Sequence, residues 1–268
     1  MAMRVTSPAW VRVDAAEPSP WRRAVGARII HRGTSALVLD AGGERLTVTG
    51  SRLGLVPGGI QVADAELDRL RAIEASAVTW NMWQPLVVVE ARLTVDPLHL
   101  DALALHAVRS VTVPARAAGD DPLDAVPIRR RAAGLAAAAV NGGDIDDVLR
   151  SLVGAGPGST PTGDDVIVGV LAGLRARGAR FAASAIACRV PALLARTTSA
   201  SVPYLAAAAE GRFADRVHDL LCRLDDSRRV REVVRLAATW GATSGLDLLS
   251  GIVTGGLAVS GRSGKVPA

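Results

Sequence analysis

A chain of 268 residues with 49% hydrophobic side chains can bury a substantial core, which excludes extended disorder. With only 3% aromatic residues, that core has to be built from Ala, Val, Leu and Ile. The formal charge of +5 comes almost entirely from Arg interleaved with acids, and Arg129, Arg130 and Arg131 read as a solvated helix face, so the pattern argues against a nucleic-acid partner. Cys188 and Cys222 lie in apolar helical stretches and read as buried free thiols rather than a disulfide framework. No secretory leader pattern and no uninterrupted apolar span is evident. The expectation is a cytoplasmic protein with no membrane partner.

In chain order, residues 1–20 are rich in Pro and small side chains and read as a loose leader. Val25–Ile30 and Ala36–Asp40 are short β-prone runs, and Ala41-Gly42-Gly43 predicts a hairpin turn into Arg45–Val48. Ile60–Val62 resumes a strand, and Leu86–Val95 is the clearest strand of all. These elements predict a small antiparallel sheet or barrel-like region, assigned to residues 21–117. The stretch 97–117 fits either helix or strand.

From about residue 118 to 260 the pattern predicts a helical domain, followed by a disordered tail over 261–268. Arg129–Val140 is Ala-rich and stops at Asn141-Gly142-Gly143. Asp144 then caps a helix that runs to Leu152. Asp164–Arg177 is apolar nearly all round, as a helix in the middle of a bundle would be, and Gly169 and Gly173 allow a close neighbour. Helices are expected over Arg180–Ala195, after a Ser201 cap, over Ala214–Leu224 and Arg228–Ala238, and over Ser244–Val259, the last again apolar and glycine-punctuated. The fold class is therefore α+β with two buried central helices.

Chemistry concentrates at three polar loops. The first, Gly154–Asp165, has glycines at 154, 156 and 158 and hydroxyls at Ser159, Thr160 and Thr162, and leads into the first apolar helix. Unpaired amides and the helix dipole favour an anion at such a start. The Gly158-x-x-x-x-Gly163 spacing suggests a P-loop but fails at Asp164 and Asp165, where Lys and Ser/Thr are needed, which excludes nucleoside triphosphate binding of that kind. Asp164 can cap the helix. Asp165 can orient an Arg or hydroxyl, hold magnesium, or act as a general base. The second loop is Arg196-Thr197-Thr198-Ser199, where Arg offers a bidentate grip on carboxylate or phosphate. The third is Gly241–Asp247, in which Thr243 or Ser244 caps the last helix and Asp247 stands at the capping-box distance from Ser244. If the two apolar helices pack together, the first and third loops open on one cavity.

The runs Gly156-Pro-Gly-Ser-Thr-Pro-Thr-Gly-Asp-Asp165, Arg196-Thr-Thr-Ser199 and Thr243-Ser-Gly-Leu-Asp247 together resemble the family that includes AllH, a subunit of the anaerobic oxamate carbamoyltransferase. The resemblance covers about residues 120–258. It implies a subunit of an enzyme that interconverts oxalurate plus phosphate with oxamate plus carbamoyl phosphate, working with other carbamoyltransferase-like subunits. The alternative is a non-catalytic small-anion binding or assembly protein. By motif, the residues implied for the site are Gly156, Gly158, Thr160, Thr162, Gly163, Asp164, Thr197, Thr198, Thr243, Ser244, Gly245 and Asp247 for a small anionic metabolite. Asp165 and Arg196 are the catalytic candidates; no metal is assigned, and Asp164 and Asp165 are the residues that would hold one such as Mg2+. Ala242 stands where the family commonly has histidine.

Overall fold

The computed structural model describes residues 10–15, 20–24, 26–72, 87–91, 93–113 and 126–260. The expectations for residues 1–9, for the junction at 114–125 and for the tail 261–268 lie outside the described residues. The chain divides into two compact units, residues 1–93 with 214–216, and residues 94–213 with 217–268.

The first unit is built on a six-stranded sheet: β1 (Trp10–Asp14), β2 (Arg28–Arg32), β3 (Ala36–Ala41), β4 (Glu44–Thr49), β5 (Ile60–Val62) and β6 (Val87–Ala91), in the order β2-β3-β4-β5-β1-β6. Two short helices, α1 (Pro20–Ala24) and α2 (Asp64–Ala72), accompany it. The sheet is open and mixed rather than wholly antiparallel, because β4 runs parallel to β5 and β1 parallel to β6. The β3–β4 hairpin closes as its glycines require: Gly42 and Gly43 have φ of 72° and 94°, between Ala41 and its partner Glu44. Residues 10–14, expected to belong to a loose leader, instead form an inner strand, because Val11 and Val13 alternate into the core beside Leu37, Leu39, Leu46, Val48, Ile60 and Val62. Of Leu86–Val95, expected as the clearest strand, the described part is the shorter β6, which among the described residues pairs with β1 alone.

The second unit is helical: α3 (Ala102–Thr112), α4 (Val126–Asn141), α5 (Asp146–Leu152), α6 (Thr162–Ala176), α7 (Arg180–Ala187), α8 (Val202–Glu210), α9 (Asp215–Arg223, whose first two residues group with the first unit), α10 (Val230–Ala238) and α11 (Ser244–Ser260). The ambiguous stretch after 97 resolves as α3, with Asp101 accepting from the Leu103 amide at its start. The cap position of α5 is Ile145 rather than Asp144, which lies one residue earlier and accepts from the Asp146 amide at 2.9 Å. The helix expected over Arg180–Ala195 breaks after Ala187 and continues as a 3-10 turn over Val190–Arg196, with Pro191 at its start. Cys188 and Cys222 are exposed rather than buried, since each falls on the outward side of its element. Among the described residues no helix is long and apolar enough to cross a membrane.

The centre of this unit is the pair α6 and α11. All of Val166–Leu174 and all of Leu248–Leu257 are buried. The helices approach so closely that a Cβ on Gly169 would stand 2.1 Å from the Leu248 carbonyl oxygen, and one on Gly173 would stand 2.2 Å from that of Ile252. The relation is reciprocal: a Cβ on Gly251 would stand 2.2 Å from the Val166 oxygen, and one on Gly255 would stand 2.5 Å from that of Val170.

Candidate functional site

That reciprocity has a source in the sequence. Thr162-Gly163-x-Asp165, with Gly169 and Gly173 following, recurs at the same spacing as Ser244-Gly245-x-Asp247 with Gly251 and Gly255. In this register Val166 matches Leu248 and Val170 matches Ile252, so each helix touches its partner through equivalent atoms, as an isologous two-fold interface does. Both helices begin at the same end of the pair, and their polar starts meet there.

The three loops converge at that end. Thr160 Oγ1 and Ser244 Oγ lie 2.9 Å apart, joining the first loop to the third. The Thr198 hydroxyl donates to the Ser159 carbonyl oxygen, and the Thr197 hydroxyl donates to Asp164 Oδ2, joining the second loop to the first. Asp164 is buried at 1% exposure and accepts the Gly154 amide at 2.8 Å on its other oxygen. It therefore staples the loops and is not the helix cap; α6 starts two residues earlier, after Pro161. Thr198, rather than Ser201, supplies the hydroxyl at the start of α8, accepting from the Ser201 amide at 3.1 Å.

Asp247 differs from its capping-box expectation. Fully buried, it takes Nε and Nη2 of Arg129 on Oδ1, each at 2.7 Å, and the Thr162 hydroxyl on Oδ2 at 3.1 Å. Arg129 also donates to the Thr112 carbonyl oxygen at 3.0 Å. Its reading as part of a solvated face is thus corrected: Arg130 and Arg131 are exposed, but Arg129 is buried at 8% and ties α4 to α11. The signal available in the sequence was position, since Arg129 shares a helical face with the buried Ala132 and Ala136.

Asp165 is the counterpart of Asp247 in the repeat, and among the described residues no Arg forms an ion pair with it. The Ser244 and Thr160 hydroxyls favour its charged form, but desolvation outweighs them, and Asp247 and Asp164 add like charge, so the carboxyl is pushed up to about 8. Its Oδ2 is buried without a hydrogen-bond partner. Ionising this group therefore costs more in the folded chain than in the unfolded one. Its contribution to stability is full below about pH 4 and is lost as pH rises through about 8. Asp165→Asn is expected to match the wild type at about pH 3.5 and to exceed it at about pH 9 by about 3 kcal/mol, less than the whole shift converts to because the residue is partly accessible. Urea unfolding at the two pH values measures this; a parallel pH dependence in both proteins would refute it.

The amides at the start of α6 are less available than the glycine-rich loop suggested. Gly163 donates to Ala155 O at 2.8 Å, and Asp164 and Asp165 both donate to Pro161 O. Gly163 and Gly245 serve packing: a Cβ on either would stand 1.9 Å and 2.0 Å from the carbonyls of Leu152 and Ala237, respectively. Gly156 and Gly158 hold φ of 101° and 97° in an exposed part of the loop. The Arg196 side chain is exposed, next to the two threonines that reach the first loop, and Thr243 and Ala242 are exposed at the third. Magnesium does not fit the donors: both oxygens of Asp164 are taken by protein donors, and among the described residues no group of three or more His, Cys, Asp or Glu is arranged to hold a metal ion.

No solved structure matches the chain. Residues 152–256 match the family model described as oxamate carbamoyltransferase subunit AllH, a span that contains all three loops, the whole of α6 and α11 as far as Gly256. Over this segment of its helical unit, the chain is similar to the AllH-containing family.

Proposed function

We propose that the chain is a subunit of a carbamoyltransferase-type assembly and that the convergent loop cluster binds a small carboxylate or carbamoyl anion such as oxalurate or oxamate. The observation that carries this reading is that the segment similar to the oxamate carbamoyltransferase subunit coincides with the residues whose side chains meet at the shared end of α6 and α11. The cluster divides into a buried frame and an accessible rim. Thr162, Asp164, Thr197, Asp247 and Arg129 are committed to one another or to backbone. Thr160, Ser244 and Asp165 are only half-buried, and Arg196 is exposed. The rim offers hydroxyl donors and a guanidinium, which suit carboxylate or phosphate oxygens.

In the transfer, a phosphate oxygen attacks the carbamoyl carbon of oxalurate, the bond from that carbon to the amide nitrogen breaks, and the nitrogen leaves with a proton as oxamate. The rim would act by holding the anions in line and by aiming donors at the oxygen that gains charge. The test is carbamoyl phosphate formation from oxalurate and phosphate by the complex purified with its co-encoded partners. Turnover is expected with the full complex, and none from a correctly assembled complex would end this reading. Arg196→Ala is expected to weaken oxamate binding about tenfold to a hundredfold, the equivalent of one charge-assisted hydrogen bond. Calorimetry on the folded variant measures it, and an unchanged affinity would remove Arg196 from the site.

A second reading is a binding or assembly subunit without chemistry of its own. The paired amides at the start of α6 favour it, because they leave few fixed donors to stabilise an oxyanion. It predicts oxamate binding with transfer activity retained when Asp165 is replaced by Asn.

A further inference from the structure

The α6–α11 pair is two-fold in its packing but not in what its two aspartates hold. Asp165 stands on α6 where Asp247 stands on α11, and the glycine crossings at 169 and 251 and at 173 and 255 fix that register. The Arg129 guanidinium donates through Nε and Nη2 to Asp247 Oδ1, and the Thr162 hydroxyl donates to Oδ2. Both oxygens of Asp247 are thus answered, one of them by a flat group with two N–H donors. The equivalent carboxyl of Asp165 is not matched: its Oδ2 is buried without a hydrogen-bond partner, and among the described residues no Arg forms an ion pair with it. An acceptor left in this state bears the desolvation cost of its lone pairs with no bond in return. The residue as a whole is half-buried and belongs to the rim, beside Thr160 and Ser244 rather than under them.

We propose that Asp165 is the specificity-determining acceptor for the N–H end of the ligand, and that it takes a planar amide or ureido group as Asp247 takes a guanidinium. The three groups share a flat shape with N–H donors in the plane, which is the geometry a carboxyl oxygen accepts. An N–H donor suits Asp165 whether or not the carboxyl carries a proton, because the carbonyl oxygen of an acid accepts as a carboxylate does. A ligand that also bears a carboxylate has to keep that charge away from Asp165, so the site orients it. The carboxylate turns to the exposed Arg196, on the loop that Thr197 and Thr198 fasten to the first, and the N–H end turns to Asp165. The ligand class thereby narrows from small anions in general to carboxylates that carry an amide or ureido group. The inference rests on the anion-binding reading above and names the part of the ligand that the same site distinguishes.

Oxamate and pyruvate separate the inference from that reading, because they differ only in an amide NH2 against a methyl group of similar size. Calorimetry on the full chain is expected to show that wild type prefers oxamate by about tenfold or more, as a site with an acceptor to satisfy does. Asp165→Leu is expected to lose about tenfold or more in oxamate affinity and to bind pyruvate as well as wild type or better, so that the preference disappears. Asp165→Asn, whose side-chain carbonyl still accepts, is expected to keep part of it. Equal wild-type affinity for the two ligands overturns the inference and leaves the anion reading standing, and so does a preference that survives intact in Asp165→Leu. If neither ligand binds, both fall. A crystal structure of wild type with oxamate decides the matter should Asp165→Leu fail to fold. The amide nitrogen is expected within hydrogen-bond distance of an Asp165 oxygen, with the carboxylate toward Arg196; the reverse orientation overturns the inference.

Discussion

Gly169→Ala is expected to cost on the order of 4 kcal/mol or to abolish folding of the helical unit, and Gly251→Ala is expected to do the same. The added methyl carbon would stand 2.1 Å from a carbonyl oxygen in the first case and 2.2 Å in the second, where no side chain can move aside. Relief requires the helices to separate, which opens gaps along their whole contact, including the crossings at Gly173 and Gly255. Ordinary overpacking costs about 1–3 kcal/mol when side chains can adjust; two rigid backbones cannot. Against a domain stability of about 5–15 kcal/mol, that loss is a large share. Gly134→Ala is the control. Gly134 lies exposed in the interior of α4, and an added methyl there would meet nothing within 4 Å, so the substitution should stabilise by about 0.5–1 kcal/mol. Chemical denaturation of the three variants measures the contrast. A loss below 1 kcal/mol at Gly169 would mean that the helices do not approach as described.

Arg129→Met is expected to cost about 3–5 kcal/mol, because it leaves Asp247 as a charge at 0% exposure with only the Thr162 hydroxyl to answer it. Asp247→Leu alone should be comparably harmful, since it strands a guanidinium that retains only the Thr112 carbonyl. The double variant Arg129→Met/Asp247→Leu removes both charges together and should recover most of the loss. A double-mutant cycle in urea therefore has a large coupling energy as its signature. Additive losses would show that the two residues act separately. The same substitutions should loosen the rim, because Asp247 holds Thr162 at the start of α6.

Several features of this architecture follow from local chemistry. Ala-rich α4 ends where Asn141 and Gly142 stop it, and the β3–β4 hairpin closes on two glycines that hold positive φ. The buried character of α6 and α11 was readable from their unbroken apolar interiors, as was the use of Gly169 and Gly173 for close contact. The repeat linking Thr162-Gly163-x-Asp165 to Ser244-Gly245-x-Asp247 was also present in the residue order. It becomes recognisable only through spacing that spans the whole helix, because single positions such as Asp164 and Leu246 differ.

Other features have no local signature. Trp10–Asp14 is a short strand among prolines and small residues, and it forms only because β5 and β6 lie on either side to complete its hydrogen bonds. Arg129 looks like its exposed neighbours Arg130 and Arg131, and only a carboxylate from far along the chain makes its burial favourable.

The residue order by itself determined most of the helices, the β3–β4 turn, the apolar faces and the three hydroxyl-bearing loops, because each depends on backbone preferences and side-chain periodicity over a few neighbouring positions. Tertiary structure alone decided which of two equivalent aspartates has a counter-charge and which is left among hydroxyls. The free energy of a buried charge depends on what distant segments bring within a few ångströms, and that distance is not written in any stretch of sequence.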